Sequence, residues 1–151
     1  MAEHTLTRTL TLALPRHCVF DFFADAGNLE RITPPELNFH IVTKQPIEVG
    51  QGTLIDYKLR LRGLPMKWRT EISVWDPPNE FVDRQLSGPY RQWIHEHTFE
   101  ARDGGTLAGD VVHYAVPFDF IAHRWLVRPD VEKIFKYRSE ALQQRFASAA
   151  K

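Results

Sequence analysis

From Tyr90 to Tyr114 the chain alternates with a period of two on either side of a tight turn, which calls for paired strands. Trp93, His95, His97 and Phe99 fall on one face of the first strand. Gln92, Glu96, Thr98 and Glu100 share the other with one apolar residue, Ile94. Beyond the turn at Asp103-Gly104-Gly105, residues Asp110, Val112 and Tyr114 share a face. If Arg102 pairs with Gly105, His97 stands opposite Asp110, His95 opposite Val112 and Trp93 opposite Tyr114. Two imidazoles and a carboxylate among aromatic rings make an odd core and a reasonable pocket lining.

The rest of the chain follows the same grammar. Thr5 to Leu14 sets threonines against leucines, with Arg8 breaking the dry row. Pro15 opens a helix reaching about Asp25, and Asn28 to Thr33 forms a second helix stopped by Pro34-Pro35. Asn38 to Lys44 reads as a strand. Ile55, Tyr57, Leu59 and Leu61 then alternate with charged residues, as do Met66, Trp68, Thr70, Ile72 and Val74. A Gly63-Leu64 loop would pair Leu61 with Met66 and put Lys58 against Arg69. Trp75 falls on the wet row. Glu80 to Leu86 is a further strand, and periodicity leaves open which of its rows faces inward. A terminal helix from Pro129 to about Ala147 carries Val131, Ile134, Phe135, Leu142 and Phe146 on one stripe, with Arg138 among them. Strands that are polar on one face imply an antiparallel sheet covered on the other side by helices.

Without a linker or internal repeat, 151 residues at 43% hydrophobic suit one domain, 1–151. Nineteen acidic and nineteen basic side chains cancel, so no global field draws nucleic acid. The stretch from Val111 to Val127 is broken by His113, Asp119, His123 and Arg124 and will not span a bilayer. The N-terminus shows no signal peptide, and the lone Cys18 agrees with a reducing compartment, so a cytoplasmic protein is expected.

Several segments together resemble the START-like, or SRPBCC, superfamily, in particular its bacterial polyketide-cyclase-like, ligand-binding branch. They are Ile55-Asp56-Tyr57 with Gly63-Leu64-Pro65 and Trp68; Phe81-Val82-Asp83; Gly88-Pro89-Tyr90 with Trp93, His95, His97 and Phe99; Asp110, Val112, Tyr114 and Pro117-Phe118; and Ile134-Phe135-Lys136-Tyr137-Arg138. The resemblance implies an α+β helix-grip fold. In it a curved seven-stranded antiparallel sheet wraps a long C-terminal helix, with two short helices after the first strand. It also favours Phe81, Asp83 and Gln85 facing inward. Members bind lipids, sterols, quinones, polyketides or hormones, and some catalyse cyclisation or dehydration, so the resemblance bears on fold more than on chemistry.

The expected function is binding of a small hydrophobic ligand, of lipid, quinone, polyketide or aromatic type, between sheet and C-terminal helix. Tyr57, Trp68, Asp83, Trp93, His95, His97, Phe99, Asp110, Tyr114 and Arg138 are the candidate ligand-binding residues. The alternative is a cyclase, dehydratase or isomerase that uses a His–Asp pair for proton transfer, with His97, Asp110 and His95 as candidates. A binder is favoured over an enzyme. His95-x-His97 with Asp110 could in principle ligate a metal, but the pattern is common, and no metal or cofactor is expected. Arg138 can pair with a ligand carboxylate or with Asp83 or Asp110, and Arg8 poses the same choice. Asp110 opposite His97 should favour the protonated imidazole and raise its pKa above about 6.5, with burial opposing.

Overall fold

The computed structural model describes residues 3–117 and 127–149. Phe118, Asp119, His123 and Arg124, named above, lie outside the described residues. The elements are β1 (His4–Leu12), α1 (Arg16–Ala24), α2 (Asn28–Arg31), a 3-10 turn (Pro35–Leu37), β2 (His40–Ile41), β3 (Leu54–Leu61), β4 (Leu64–Asp76), β5 (Glu80–Ser87), β6 (Gln92–Arg102), β7 (Gly105–Ala115) and α3 (Arg128–Ala149). Seven strands form one antiparallel sheet in the order β1-β7-β6-β5-β4-β3-β2. This is the helix-grip architecture: an open antiparallel sheet, two short helices after β1, and one long C-terminal helix. No helix among the described residues is long and apolar enough to cross a membrane.

The inner face carries two apolar clusters. One joins Val19, Phe20 and Phe22 of α1 to Phe81, Phe99 and, from α3, Leu142 and Phe146. The other joins Val112, Tyr114 and Val116 to Val131 and Phe135 of α3. Phe20 is 2% exposed and meets Phe81, Phe99 and Trp75 edge-on, a favoured geometry for aromatic quadrupoles.

The β6–β7 register is the expected one, Arg102 to Gly105, His97 to Asp110, His95 to Val112 and Trp93 to Tyr114. The β3–β4 hairpin differs by two residues. Arg62 and Gly63 both take positive φ, 50° and 80°, so the turn is a tight two-residue one and Leu61 pairs with Leu64. A shift of two keeps every side chain on its expected face. It also sets Asp56 opposite Arg69, where the ions meet at 2.8 Å, in place of the expected Lys58–Arg69 clash. Lys58 faces Lys67.

Two other expectations yield to local backbone chemistry. The strand expected over 38–44 shrinks to His40–Ile41, because Asn38 is left-handed (φ 45°) and the Ile41 amide donates to Glu30 Oε1. In β4 an irregularity between Ile72 and Val74 breaks the alternation. Val74 is therefore 38% exposed, while Trp75, expected on the wet row, packs against Phe20 and Phe81.

The β7 end closes tightly on β1. A Cβ at Gly105 would stand 2.1 Å from the Leu12 carbonyl oxygen, a backbone atom that cannot rotate away. Gly105→Ala should therefore cost about 2 kcal/mol or more, within the upper range for single substitutions. Urea denaturation checks this, and an unchanged midpoint would contradict the close approach.

Candidate functional site: a polar cluster lining an apolar cavity

The space between sheet and helices holds a cavity of ≈180 Å³. Its walls come from α1 and α2 (Phe23, Leu29), the inner rows of β3 and β4 (Tyr57, Trp68), β5 and β6 (Phe81, Trp93) and α3 (Phe135). Apolar and aromatic walls with a few converging polar groups are the usual make-up of a small-molecule site. Here Asp83, His95, His97 and Arg138 supply the converging polar groups, with Asp25, Asn28 and Thr33 also on the lining.

Strand pairing explains how these groups meet. His95 and His97 are two apart on β6, so both point inward, and Asp83 stands opposite His95 on β5. The side chains cross over diagonally. His97 Nε2 donates to Asp83 Oδ2 at 2.5 Å, and His95 Nε2 to Asp110 Oδ1 at 2.7 Å. The expected His97–Asp110 pair is therefore not the bonded one; His97 Nδ1 lies 3.6 Å from Asp110 Oδ1. The reason is reach: neighbouring residues on a twisted face lean along the strand, so the diagonal partner wins over the directly opposed one.

The two imidazoles stack with centroids 3.6 Å apart, and Phe81 stacks on the other side of His97 at 4.1 Å. Arg138 reaches in from α3, 7% exposed, flanked by the rings of Phe23 and Phe135 at 5.2 and 5.7 Å. Its Nη2 donates to His97 Nδ1 at 3.5 Å and lies 3.6 Å from Asp110 Oδ1. Its Nε is buried without a partner. Of the choices open to Arg138, an internal acid is the one realised.

The electrostatics follow. Burial pushes the Asp83 carboxyl up, but the His97 hydrogen bond and the nearby His97, His95 and Arg138 fields outweigh it and hold it below its ordinary value. Asp110 is likewise pushed up by burial and pulled further down by Arg138 and His95. His97 goes the other way from expectation. Burial and the adjacent His95 push it down to about 4 against the pull of Asp83. Desolvation wins because His97 is enclosed by Phe81, His95 and Arg138. Burial, then the Asp83 charge, pushes the Tyr57 phenol above its ordinary range, so it stays protonated as a donor.

Asp83, His95 and His97 each bring one potential metal-ligand atom within 4.8 Å of the others. The arrangement fits a hydrogen-bonded relay better than a metal centre. His97 Nε2 spends its proton on Asp83, and the Arg138 cation beside His97 opposes a dication.

Not every expected residue reaches the cavity. Tyr57, Trp68, Asp83, Trp93, His95, His97 and Arg138 line it. Phe99 and Tyr114 lie in the two apolar clusters, because the inner face of the sheet extends beyond the cavity at both ends. Asp110 stands behind His95, where it orients that ring. Arg8 is opposite Asp110 in the β1–β7 register but does not line the cavity. Phe81 and Asp83 face inward as the resemblance favoured, and Gln85 is tied to the backbone of Tyr90. Phe23 and Tyr90 are lining residues that the sequence reading missed. Phe23 lay within the first expected helix and Tyr90 at the start of the alternating stretch, and neither setting distinguishes a cavity wall from a core.

With this geometry in place, similarity to known proteins becomes informative. Residues 12–143 match the family described as polyketide cyclase/dehydrase and lipid transport. The chain belongs to that family. No curated protein matches the sequence. Among solved structures, an aromatase/cyclase, ZhuI from Streptomyces sp. R1128, superposes with TM-score 0.77 at 19% identity, covering 99% of this chain and 97% of that one. A START superfamily protein from Mycobacterium smegmatis gives 0.74 at 11%, covering 97% and 99%. Protein Ms6760 from the same organism gives 0.70 at 21%, covering 96% and 92%. At such identities the likeness establishes the START-like fold, and ligand binding or cyclase chemistry is a property of the family in general.

Proposed function

We propose that residues 1–151 act as one domain that binds a small hydrophobic molecule in the cavity. Its ring or chain lies against Tyr57, Trp68 and Trp93, and its polar end against Asp83, His95, His97 and Arg138. The observation that carries this reading is a largely apolar cavity of ≈180 Å³ whose lining includes a preassembled, hydrogen-bonded polar cluster. A roughly 150 Å³ apolar cavity suffices for benzene, so one or two rings is the scale of occupant. Removing apolar surface from water contributes about 25 cal/mol per Å².

Trp93 lines the cavity beside Trp68 and Phe135. Trp93→Ala should weaken a bound aromatic by about tenfold or more, because an aromatic anchor and its stacking are lost. Thermal-shift screening of quinones, aromatic ketones and polyketide fragments, followed by calorimetry on wild type and Trp93→Ala, tests this. No stabilisation by any aromatic would remove the reading.

One observation favours a second reading, a cyclase, dehydratase or isomerase. Each imidazole is oriented by its own carboxylate, the arrangement a general base needs. Turnover of a bound ketone, lost in His95→Ala or His97→Ala while binding persists, would establish it. Binding without conversion would leave the binder.

A further inference from the structure

The hydrogen-bond inventory of the cluster says what kind of polar group the ligand must bring. Ionised Asp83 and Asp110 can only accept, so the proton on each imidazole sits on the Nε2 that faces a carboxylate. When neutral, both rings then present a lone pair at Nδ1. That of His97 is used by Arg138. That of His95 is not: its nearest charged neighbour is Asp83 Oδ2 at 3.9 Å, itself an acceptor. Two acceptors therefore face each other at the cavity wall. A hydroxyl standing about 2.8 Å from both would share its one proton between them in a bifurcated bond.

The charges point the same way. Two carboxylates, Asp83 and Asp110, stand against the single guanidinium of Arg138. Arg138, the lone cation among the described lining residues, spends its charge on Asp110 and His97 and is closed in by Phe23 and Phe135. A ligand carboxylate arriving here would meet an acceptor pair and a third negative charge, and the one unpartnered donor of Arg138, its Nε, is fully buried. The cost of bringing an unpaired charge out of water would be added to that repulsion.

We propose that the cavity selects a neutral aromatic hydroxyl compound, a phenol or enol, by the hydrogen bond it donates between Asp83 and His95 Nδ1, and discriminates against the matching carboxylate. This rests on the binding reading above and adds the ligand's chemical class. Of the two roles the sequence left open for Arg138, it takes the internal acid and not a ligand carboxylate.

Three probes of similar skeleton test it by calorimetry at pH 7.5: 2-naphthol, 2-methoxynaphthalene and 2-naphthoate. The expected result is 2-naphthol binding at least about tenfold more tightly than 2-methoxynaphthalene, which has no donor, and about a hundredfold more tightly than 2-naphthoate. Asp83→Asn should narrow the naphthol–naphthoate gap by about tenfold or more, because the amide removes the charge. The wild-type comparison decides the matter if that variant fails to fold. Naphthoate binding as tightly as naphthol, or methoxynaphthalene matching it, would overturn the donor selectivity and leave the cavity a general hydrophobic site. Failure of all three to bind would overturn both this proposal and the binding reading.

Discussion

Arg138→Met should lose about 3–5 kcal/mol of stability at pH 7, the range for removing one partner of a buried ion pair. The methionine fills a comparable volume, so the loss reports charge more than a cavity. In its absence Asp110, bonded to His95, and Asp83, bonded to His97, face one another across the stacked rings without a cation. Arg138 pulls both carboxyls down, so its removal lets both titrate higher and take up protons in the folded state. The gap between variant and wild type should therefore narrow as the pH falls. Adding Asp110→Asn to Arg138→Met should recover part of the loss, because the orphaned charge goes with it. Urea denaturation across pH 5 to 8 measures all three chains. A loss below about 1 kcal/mol would mean the cluster behaves as a solvated surface pair.

Wild-type stability should itself fall as the pH drops from about 6.5 towards 4. The folded state holds His97 at about 4, whereas an unfolded histidine titrates near 6.5. Above that range neither state carries the proton, and this group adds no pH dependence. Within it the unfolded chain takes a proton that the fold refuses, at up to about 1.4 kcal/mol per pH unit, so about 3 kcal/mol is lost by pH 4. Asp83 and Asp110 act in the same direction further down. Their folded values lie below the ordinary ones, so the stability they confer above those values is lost as acid reaches them. His97→Gln keeps an amide donor for Asp83 but cannot titrate, and its profile should be flatter between pH 6.5 and 4.5. An NMR titration placing His97 at or above its ordinary value would refute the desolvation argument.

The contrast at His97 shows how far one-dimensional reading extends. Turn chemistry at Asp103-Gly104-Gly105 and a period of two were enough to place His97 opposite Asp110, and backbone pairing follows that register throughout β6 and β7. Which carboxylate it bonds was a different matter. The lean of side chains across two adjacent strand pairs gave His97 to Asp83 and His95 to Asp110. Enclosure by Phe81, His95 and Arg138 then reversed the direction of its pKa shift. The β4 strand gives a second case, since a single irregularity exchanged the settings of Val74 and Trp75. Alternation cannot reveal such a bulge, because no residue type in Ile72-Ser73-Val74 demands one.

Local pattern by itself determined the faces of β1, β3, β6 and β7, the order of elements, the amphipathic terminal helix and the inward direction of His95, His97, Tyr57, Trp68 and Trp93. Each depends on the spacing of apolar and polar residues along one segment, which the backbone period converts directly into geometry. Tertiary structure alone decided which inward residues border empty space and which are packed solid. Phe99 and Tyr114 share the pattern of Trp93, yet they lie in the apolar clusters because α1 and α3 close down on the sheet there. It also decided that Arg138 meets Asp110 and His97 from across the fold, 28 and 41 positions away in sequence. Burial, charge balance and hydrogen-bond completeness are sums over neighbours from every element, and no single segment contains those sums.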